Sequence, residues 1–364
     1  MCLGLCGCVP HTELNKRAIV EALGIDYDGS QYKVTFQYYN LSGAGSRTQI
    51  DPSKPNVLTA KGTGSSVYAA LKDAEFNCGR ELMLGITQII VIGREAAKQP
   101  LKSLISFSAA FYESHPKVKL AIADDTAEKV LSVKFTEGSV STQKLSFMFE
   151  TAEKSGYVGF PSMLDTFIDL SGKHGSLCLP LLQEVDDGSD VTKEGKNVLI
   201  KGGVIFRDGV YCAEIDTEET SGLALLDGKA ENTTVIVDYE GARVAVEIFD
   251  IKTAVLPAYQ DGRLIFTVKT TCGGKYLDSF IDEANASPDD QIERLCAQQL
   301  IQRMETATAA LLETNADVLR LQLLLKHHSY TDWLKTSEQW EQLFPESLFV
   351  FETSVEISRY SLEE

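Results

Sequence analysis

Ile86-Thr87-Gln88-Ile89-Ile90-Val91-Ile92 is a largely apolar, β-branched run, and its length and composition predict a buried strand. Helices are expected after it near 94–98 and 101–112, then a strand at 118–123 and a capped helix from Asp124 to Val130. Upstream, residues 19–28 (IVEALGIDYD) and 32–40 (YKVTFQYYN) are β-rich runs parted by Gly29-Ser30, which predicts a hairpin. Asp51 to Thr63 is polar and carries proline and glycine, so a loop is expected there. Ser65 or Ser66 can cap a helix to about Asn77, with Val67, Ala70, Leu71 and Ala74 on one face. The resulting order, β-β-α-β-α-β over residues 15–135, makes one α/β unit.

Working outward, residues 136–230 offer amphipathic helices at 142–153 and 161–171, strands at 177–184, 197–206 and 210–215, and a short helix at 217–226. The acidic stretch Glu184 to Gly195 (EVDDGSDVTKEG) is linker-like. Residues 231–364 open with strands at 233–239, 243–252 and 262–271, with hairpin turns at Tyr239-Glu240-Gly241-Ala242 and Gln260-Asp261-Gly262-Arg263. A long helix over 288–313 follows. Ser287 caps it, Pro288 sits in its first turn, and Asp289-Asp290 favour its positive end. Ile292, Cys296, Leu300, Met304, Ala307 and Leu311 recur along one face, and the helix spans about 39 Å at ~1.5 Å per residue. A partly alternating run at 347–358 (SLFVFETSVEIS) is expected to close the sheet. The expected architecture is therefore α+β in three domains, each a β-sheet flanked by α-helices. A short N-terminal piece (1–14) precedes domains at 15–135, 136–230 and 231–364, and the long helix belongs to the last.

The composition is that of a folded chain, with 364 residues, 44% hydrophobic and 24% charged. No run of ~18 apolar residues exists to span a bilayer. A formal net charge of −18 argues against nucleic acid and against direct adsorption to anionic headgroups, since both require cationic patches. Beyond the N-terminal cluster the cysteines are Cys78, Cys178, Cys212, Cys272 and Cys296. They are single and widely spaced, so no disulfide framework or zinc pattern is legible, and buried thiols are the default.

Several motifs resolve to ordinary structure. Gly62-Thr63-Gly64 before a helix could cradle a phosphate, but the third glycine of a dinucleotide fingerprint and the Gly-Lys-Ser/Thr of a P-loop are missing. Ser114-His115-Pro116-Lys117 matches Ser-x-x-Lys, yet a proline lies inside it and no Lys-Thr-Gly follows; it reads as a turn. His327-His328 are adjacent and point apart on a helix, so a solvated helix end is expected. Cys272-Gly273-Gly274 and Cys78-Gly79 have no nearby histidine as base. Asp124-Asp125 and Asp289-Asp290 read as helix starts. No catalytic, cofactor-binding or metal-binding residue is expected.

The first residues, Met1 to Cys8 (MCLGLCGC), carry the strongest functional signal. Leu5-Cys6-Gly7-Cys8 has the order of a bacterial lipoprotein cleavage site: an aliphatic residue, two small residues, then the cysteine to be diacylated. A secretory leader needs a basic region and about 7–15 apolar residues. No lysine or arginine precedes this segment, so residues 1–14 are read as the remnant of a longer leader plus a linker, with Met1 an internal methionine. The other readings are an ordinary cytosolic N-terminus and a Cys-x-x-x-Cys-x-Cys metal loop, for which only His11 stands near.

Gly7-Cys8, Glu13-Leu14-Asn15, Ala18-Ile19-Val20 and Leu23-Gly24-Ile25-Asp26 resemble the start of the Ger(x)C family of spore-germination lipoproteins, the C subunits of nutrient germinant receptors. Residues 85–95 (GITQIIVIGRE), Gly202-Gly203-Val204-Ile205-Phe206, Asn315-Ala316-Asp317-Val318-Leu319, Trp333, Trp340 and Phe344 continue the likeness over nearly the whole chain. Two departures stand out: Val9-Pro10 follows the cysteine where the family usually has a tryptophan, and Arg320-Leu321-Gln322-Leu323 looks helical where it has a glycine-containing turn. The resemblance implies a three-domain α+β lipoprotein acylated at Cys8, palmitate included, on the outer face of the spore inner membrane. Its partners there would be two polytopic membrane subunits, A-type and B-type, and it would have no catalytic residues and no cofactor. An extracytoplasmic solute-binding lipoprotein is the alternative, and would need a cleft with aromatic and charged ligand contacts. An enzyme, such as a cell-wall hydrolase, ranks below both.

Overall fold

A computed structural model of the chain describes residues 16–40, 57–110, 115–133, 141–172, 175–186, 196–278 and 289–357. Strands β1 (Arg17–Tyr27) and β2 (Tyr32–Tyr39) form the expected antiparallel hairpin. Strand β3 (Val57–Gly64) then adds to β2 where a loop was expected, pairing Tyr39 with Val57 and Tyr32 with Gly64. The glycines that suggested a loop serve a different purpose. Helix α1 (Val67–Cys78), capped by Ser66, lies so close that a Cβ at Gly62 would fall 2.3 Å from Ala70 O. Glycine here permits helix-on-strand contact rather than a turn.

Strands β4 (Glu81–Met83) and β5 (Ile89–Gly93) pair in parallel with β1. The expected helices at 94–98 and 101–112 are three short ones, α2 (Arg94–Ala97), α3 (Leu101–Ile105) and α4 (Phe107–Ala110). Strand β6 (Lys119–Ala123) pairs in parallel with β5. Helices α5 (Ala127–Ser132), α6 (Ser141–Lys154) and α7 (Met163–Ser171) follow, then strands β7 (Ser176–Asp186), β8 (Lys196–Arg207) and β9 (Val210–Ile215). The sheet order is β3-β2-β1-β5-β6-β7-β8-β9, with β4 beside β1. Strands β6 and β7 pair through Ile122–Leu181 and Ala123–Leu182, so strands on both sides of residue 135 share one sheet.

Both faces of this sheet are covered, which explains why β5 reads as an unbroken apolar run. Ile90 and Ile92 join a core with Leu71 of α1, Leu104 of α3 and Met163 of α7. Ile89 and Val91 point the other way, to Val130 of α5 and Phe149 of α6.

Helix α8 (Thr217–Leu226) has a full capping box from Asp216 and Glu219 and is buried from Thr220 to Leu226. A helix apolar on all sides must be covered on all sides. Ile205 of β8 and Ile215 of β9 belong to the same core as α8, the second sheet and helix α9 (Asp289–Thr314). That second sheet runs β10 (Asn232–Tyr239), β11 (Ala242–Gln260), β12 (Arg263–Asp278) and β13 (Leu348–Ile357). Its two hairpin turns fall where expected. Glu240 and Gly241 (φ 49° and 84°) and Asp261 and Gly262 (φ 48° and 80°) hold consecutive positive φ angles, as two-residue primed turns require. All six residues of the long-helix spacing are buried; Ser287 and Pro288 lie outside the described residues. After α9 come α10 (Leu321–His328), α11 (Tyr330–Thr336) and α12 (Trp340–Leu343). The fold is α+β, with sheets flanked by helices and the long helix in the C-terminal region.

Candidate functional site at the carboxyl edge of the first sheet

In open α/β sheets, ligands sit at the carboxyl ends of parallel strands. Here β1, β5 and β6 end in register, Ile25 beside Ile92 and Gly93 beside Ala123. The residues at that edge include several from the sequence motifs: Gly24, Asp26, Gly93, Arg94 and Asp124.

The edge is closed by the protein's own groups. Asp26, buried at the end of β1, accepts hydrogen bonds from the backbone N–H groups of Ala127 (2.7 Å) and Glu128 (3.1 Å) at the start of α5. A carboxylate thus fills the place an anion would take at a helix N-terminus. Burial raises its pKa against those two bonds, with Glu128 and Asp125 adding to the rise. Gly93 makes room for it, since a Cβ there would fall 2.0 Å from Asp26 Oδ1.

Asp124, expected at the helix start, does another job. Arg94 donates to the Asp124 backbone oxygen (2.7 Å) and pairs with both the Asp124 and Glu214 carboxylates. Lys201 Nζ lies 3.1 Å from Asp124 Oδ2, and Tyr211 donates to Glu214. Burial alone would raise both carboxyls, but Arg94, with Lys201 at Asp124 and Tyr211 at Glu214, holds them below the ordinary range. Thr126, two residues on, supplies the cap of α5. The network ties β5, β6, β8 and β9 together and contains no carboxyl or amine left poised for proton transfer.

A second, small hollow, about 70 Å³, lies where α7, α8 and the α9–α10 connection meet. Its charges are likewise matched within the protein: Arg320 with Asp169 (2.5 Å), Lys229 with Asp227 (2.5 Å), and Asp165 with the Ser162 hydroxyl (2.6 Å). No aromatic side chain lines it. Arg320 itself starts α10 in the left-handed region (φ 57°). Beneath it Asp317 accepts from the backbone N–H groups of Leu321 (2.7 Å) and Gln322 (2.9 Å).

Burial pushes Asp317 up to about 6 from an ordinary 3.8, the two backbone bonds opposing. The folded chain then binds this proton more tightly than the unfolded chain. The stabilisation is complete below the unfolded pKa and is lost as pH rises through about 6. The stability difference between wild type and Asp317→Asn should shift by about 2 kcal/mol in favour of wild type from pH 7.5 to pH 4.5. Urea titrations of both chains across that window check this, and parallel pH profiles would refute it.

Most of the remaining candidates sit apart from both places, though Cys178 borders the second hollow. Among the described residues no group of three or more His, Cys, Asp or Glu is arranged to hold a metal. Burial pushes Cys178 and Cys296 up to about 12 and Cys272 up to about 11, which suppresses thiolate chemistry. His115 closes a turn through Lys117 N to Nδ1 (3.2 Å), and His327 and His328 are exposed in the last turn of α10. Gly62 and Gly64 lie within β3. Cys8, His11 and the Glu13-Leu14-Asn15 segment lie outside the described residues, as does most of the acidic stretch, residues 187–195.

The other motif residues also act through packing. A Cβ at Gly202 would fall 2.0 Å from Ile215 O, and one at Gly203 2.5 Å from Cys178 Sγ. Asn315 turns the chain after α9 (φ 51°) and its amide donates to Glu341 O at 2.8 Å. Trp340 stacks on Phe344 with centroids 5.7 Å apart.

Comparison with known proteins agrees along the whole chain. Residues 10–184 match the family described as the spore germination protein N-terminal domain, and residues 201–361 match the spore germination B3/GerAC-like C-terminal family. Spore germination protein B3 of Bacillus subtilis (strain 168) is 21% identical, over 99% of this chain and 96% of the relative. The crystal structure of the GerBC protein superposes with a TM-score of 0.55 at 16% identity, covering 92% of this chain and 96% of that one, a likeness of fold. The chain belongs to the Ger(x)C family of spore germination proteins.

Proposed function

We propose that this protein is the non-catalytic, lipid-anchored C-type subunit of a nutrient germinant receptor. Cys8 would be diacylated, and the domain would sit on the outer face of the spore inner membrane beside polytopic A-type and B-type subunits. The observation that carries this reading is the family match across both halves of the chain. It is supported by the use of the motif residues: within the described structure they cap helices, pair with one another or allow close packing. Among the described residues no helix is long and apolar enough to cross a membrane, so attachment to one would come from acyl chains or partners. A lipid also raises the domain's effective concentration near polytopic neighbours.

Mass spectrometry of the N-terminal peptide from sporulating cells tests the anchor. A diacylglycerol-modified Cys8 in the membrane fraction is expected, with Cys8→Ala moving the protein to the soluble fraction. An unmodified peptide in the soluble fraction would remove the anchor from the proposal. The solute-binding alternative predicts a thermal shift with amino acids or sugars. The hollow between α7 and α8, with its charges matched internally and no aromatic lining among the described residues, offers such a solute little; the depression that holds Trp333, Arg320 and Lys326 has both aromatic and charged groups and is where such a shift would arise.

A further inference from the structure

The outer face of α10 and α11 differs in chemistry from the rest of this acidic chain. Residues 320–336 hold three cations (Arg320, Lys326, Lys335) against one carboxylate (Asp332), in a chain of net charge −18. Leu323, Tyr330 and Leu334 are 48%, 57% and 55% exposed, and Ile168 of the neighbouring α7 is 53% exposed. These groups are close together. Ile168, Leu323, Lys326 and Trp333 line one shallow depression. Tyr330 stacks on Trp333 at 5.4 Å, and Lys326 Nζ lies 4.7 Å from the Trp333 ring centre. The Asp332 carboxylate is held by Lys335 at 2.9 Å, and Arg320 by Asp169 on the inner side.

We infer that this α10–α11 face is a bilayer contact, resting on the headgroup layer of an anionic membrane. Leucine, tyrosine and tryptophan side chains with lysines that can extend to the phosphates are the set that settles at that depth. Protein interfaces also favour aromatic residues but are depleted in lysine; here the cation over the Trp333 ring is a lysine. Electrostatics permits the same face. Arg320 and Lys335 are each matched by a carboxylate, so Lys326 and the exposed ends of those two pairs are what this face offers to lipid phosphates, and with charges beyond about 8 Å screened at physiological salt the rest of this acidic chain opposes the contact only weakly. The contact rests on the anchored-subunit reading for its role. It would fix which side of the domain faces the membrane, leaving the opposite side to the polytopic partners, while the acyl chains supply the affinity.

The test uses the full chain with Cys8→Ala, so that its outcome is independent of acylation. Sedimentation is measured with vesicles of phosphatidylcholine alone and of phosphatidylcholine with phosphatidylglycerol, at low and physiological salt. Trp333 emission is followed in the same samples, since Trp340 is only 2% exposed. Several-fold greater binding to the anionic vesicles, weakened by salt, is expected, together with a blue shift and quenching by headgroup-depth nitroxide lipid. Leu323→Glu with Leu334→Glu should return binding to background with an unchanged circular dichroism spectrum. Background binding by the parent, or anionic binding that the double variant retains, would overturn the inference. The second result would place the contact on another face, and the first would leave α10–α11 for a protein partner. Neither result bears on whether Cys8 is acylated, which the peptide mass decides.

Discussion

Asp26→Ala is expected to destabilise the chain by about 3 kcal/mol and Gly93→Ala by about 2 kcal/mol, with the pair together costing less than the sum by at least about 1 kcal/mol. The first figure comes from two backbone N–H groups. Asp26 is their acceptor; Ala127 is fully buried and Glu128 partly so, and truncation leaves the first donor without water or carboxylate and the second only partly open to water. Each such loss is worth roughly 1–3 kcal/mol. The Gly93 figure has a different origin but the same address: its added methyl would stand 2.0 Å from Asp26 Oδ1 and push the carboxylate off those donors. Once Asp26 is gone, the methyl's nearest neighbour is Ala127 N at 3.3 Å, and most of its penalty disappears. Asp26→Asn should fall between wild type and alanine, because one amide oxygen can satisfy one donor while its amine faces the other. Urea midpoints for the four chains of the cycle decide it. Strict additivity would mean that Gly93 acts independently of the strand-to-helix cap.

Which parts of this arrangement the sequence discloses follows from the range of the interaction. Glu240-Gly241 and Asp261-Gly262 impose their turns locally, and the three- and four-residue spacing from Ile292 to Leu311 is the burial pattern of one helix, so both were legible. Strand β3 is not legible because Gly62 and Gly64 weaken a strand in isolation, and only the approach of α1 explains them. By position alone, Asp124 and Asp125 read as the acids of a helix start. The helix is in fact capped by Thr126 and by Asp26, which bonds across 101 residues of sequence, while Asp124 is held by Arg94 and Lys201. Periodicity contains no trace of a partner that far away. The only hint was that Gly24-Ile25-Asp26 and Gly93-Arg94 belonged to the quoted likeness, which gives their importance without their contact. The α10–α11 face is half legible, since Arg320-Leu321-Gln322-Leu323 looks helical, but whether Leu323, Tyr330 and Leu334 stay uncovered depends on how three helices pack.

Gly222→Ala should be among the most damaging single-methyl additions to this chain, because two effects of opposite sign meet there. In an unhindered helix the change would gain about 1 kcal/mol from helix propensity and reduced freedom of the unfolded chain. Gly222, however, faces α9 at a point where an added Cβ would lie 2.0 Å from Arg303 O and 2.7 Å from Ala307 Cβ. A backbone carbonyl in the middle of a long helix cannot swing aside as a side-chain tip does, so α8 and α9 must separate. Separation then disturbs more than one contact. Helix α8 is buried from Thr220 to Leu226 in the core that also holds Ile205 and Ile215 of the first sheet, so moving it opens the joint between the two sheets. Overpacking of this kind typically costs about 1–3 kcal/mol, and a rigid backbone neighbour puts this site at the upper end or beyond. The net loss should be about 3 kcal/mol, and its sign alone is diagnostic. Both tryptophans lie in the C-terminal half, and the buried Trp340 packs against Phe266 of the second sheet, so its fluorescence reports that core while far-UV dichroism reports the whole chain. If α8 is the element that makes the two sheets unfold together, the two signals should coincide in wild type and separate in Gly222→Ala. A stabilised or unchanged variant would show that α8 and α9 are not in backbone contact at Gly222 and would remove the joint from the account of how this chain holds its shape.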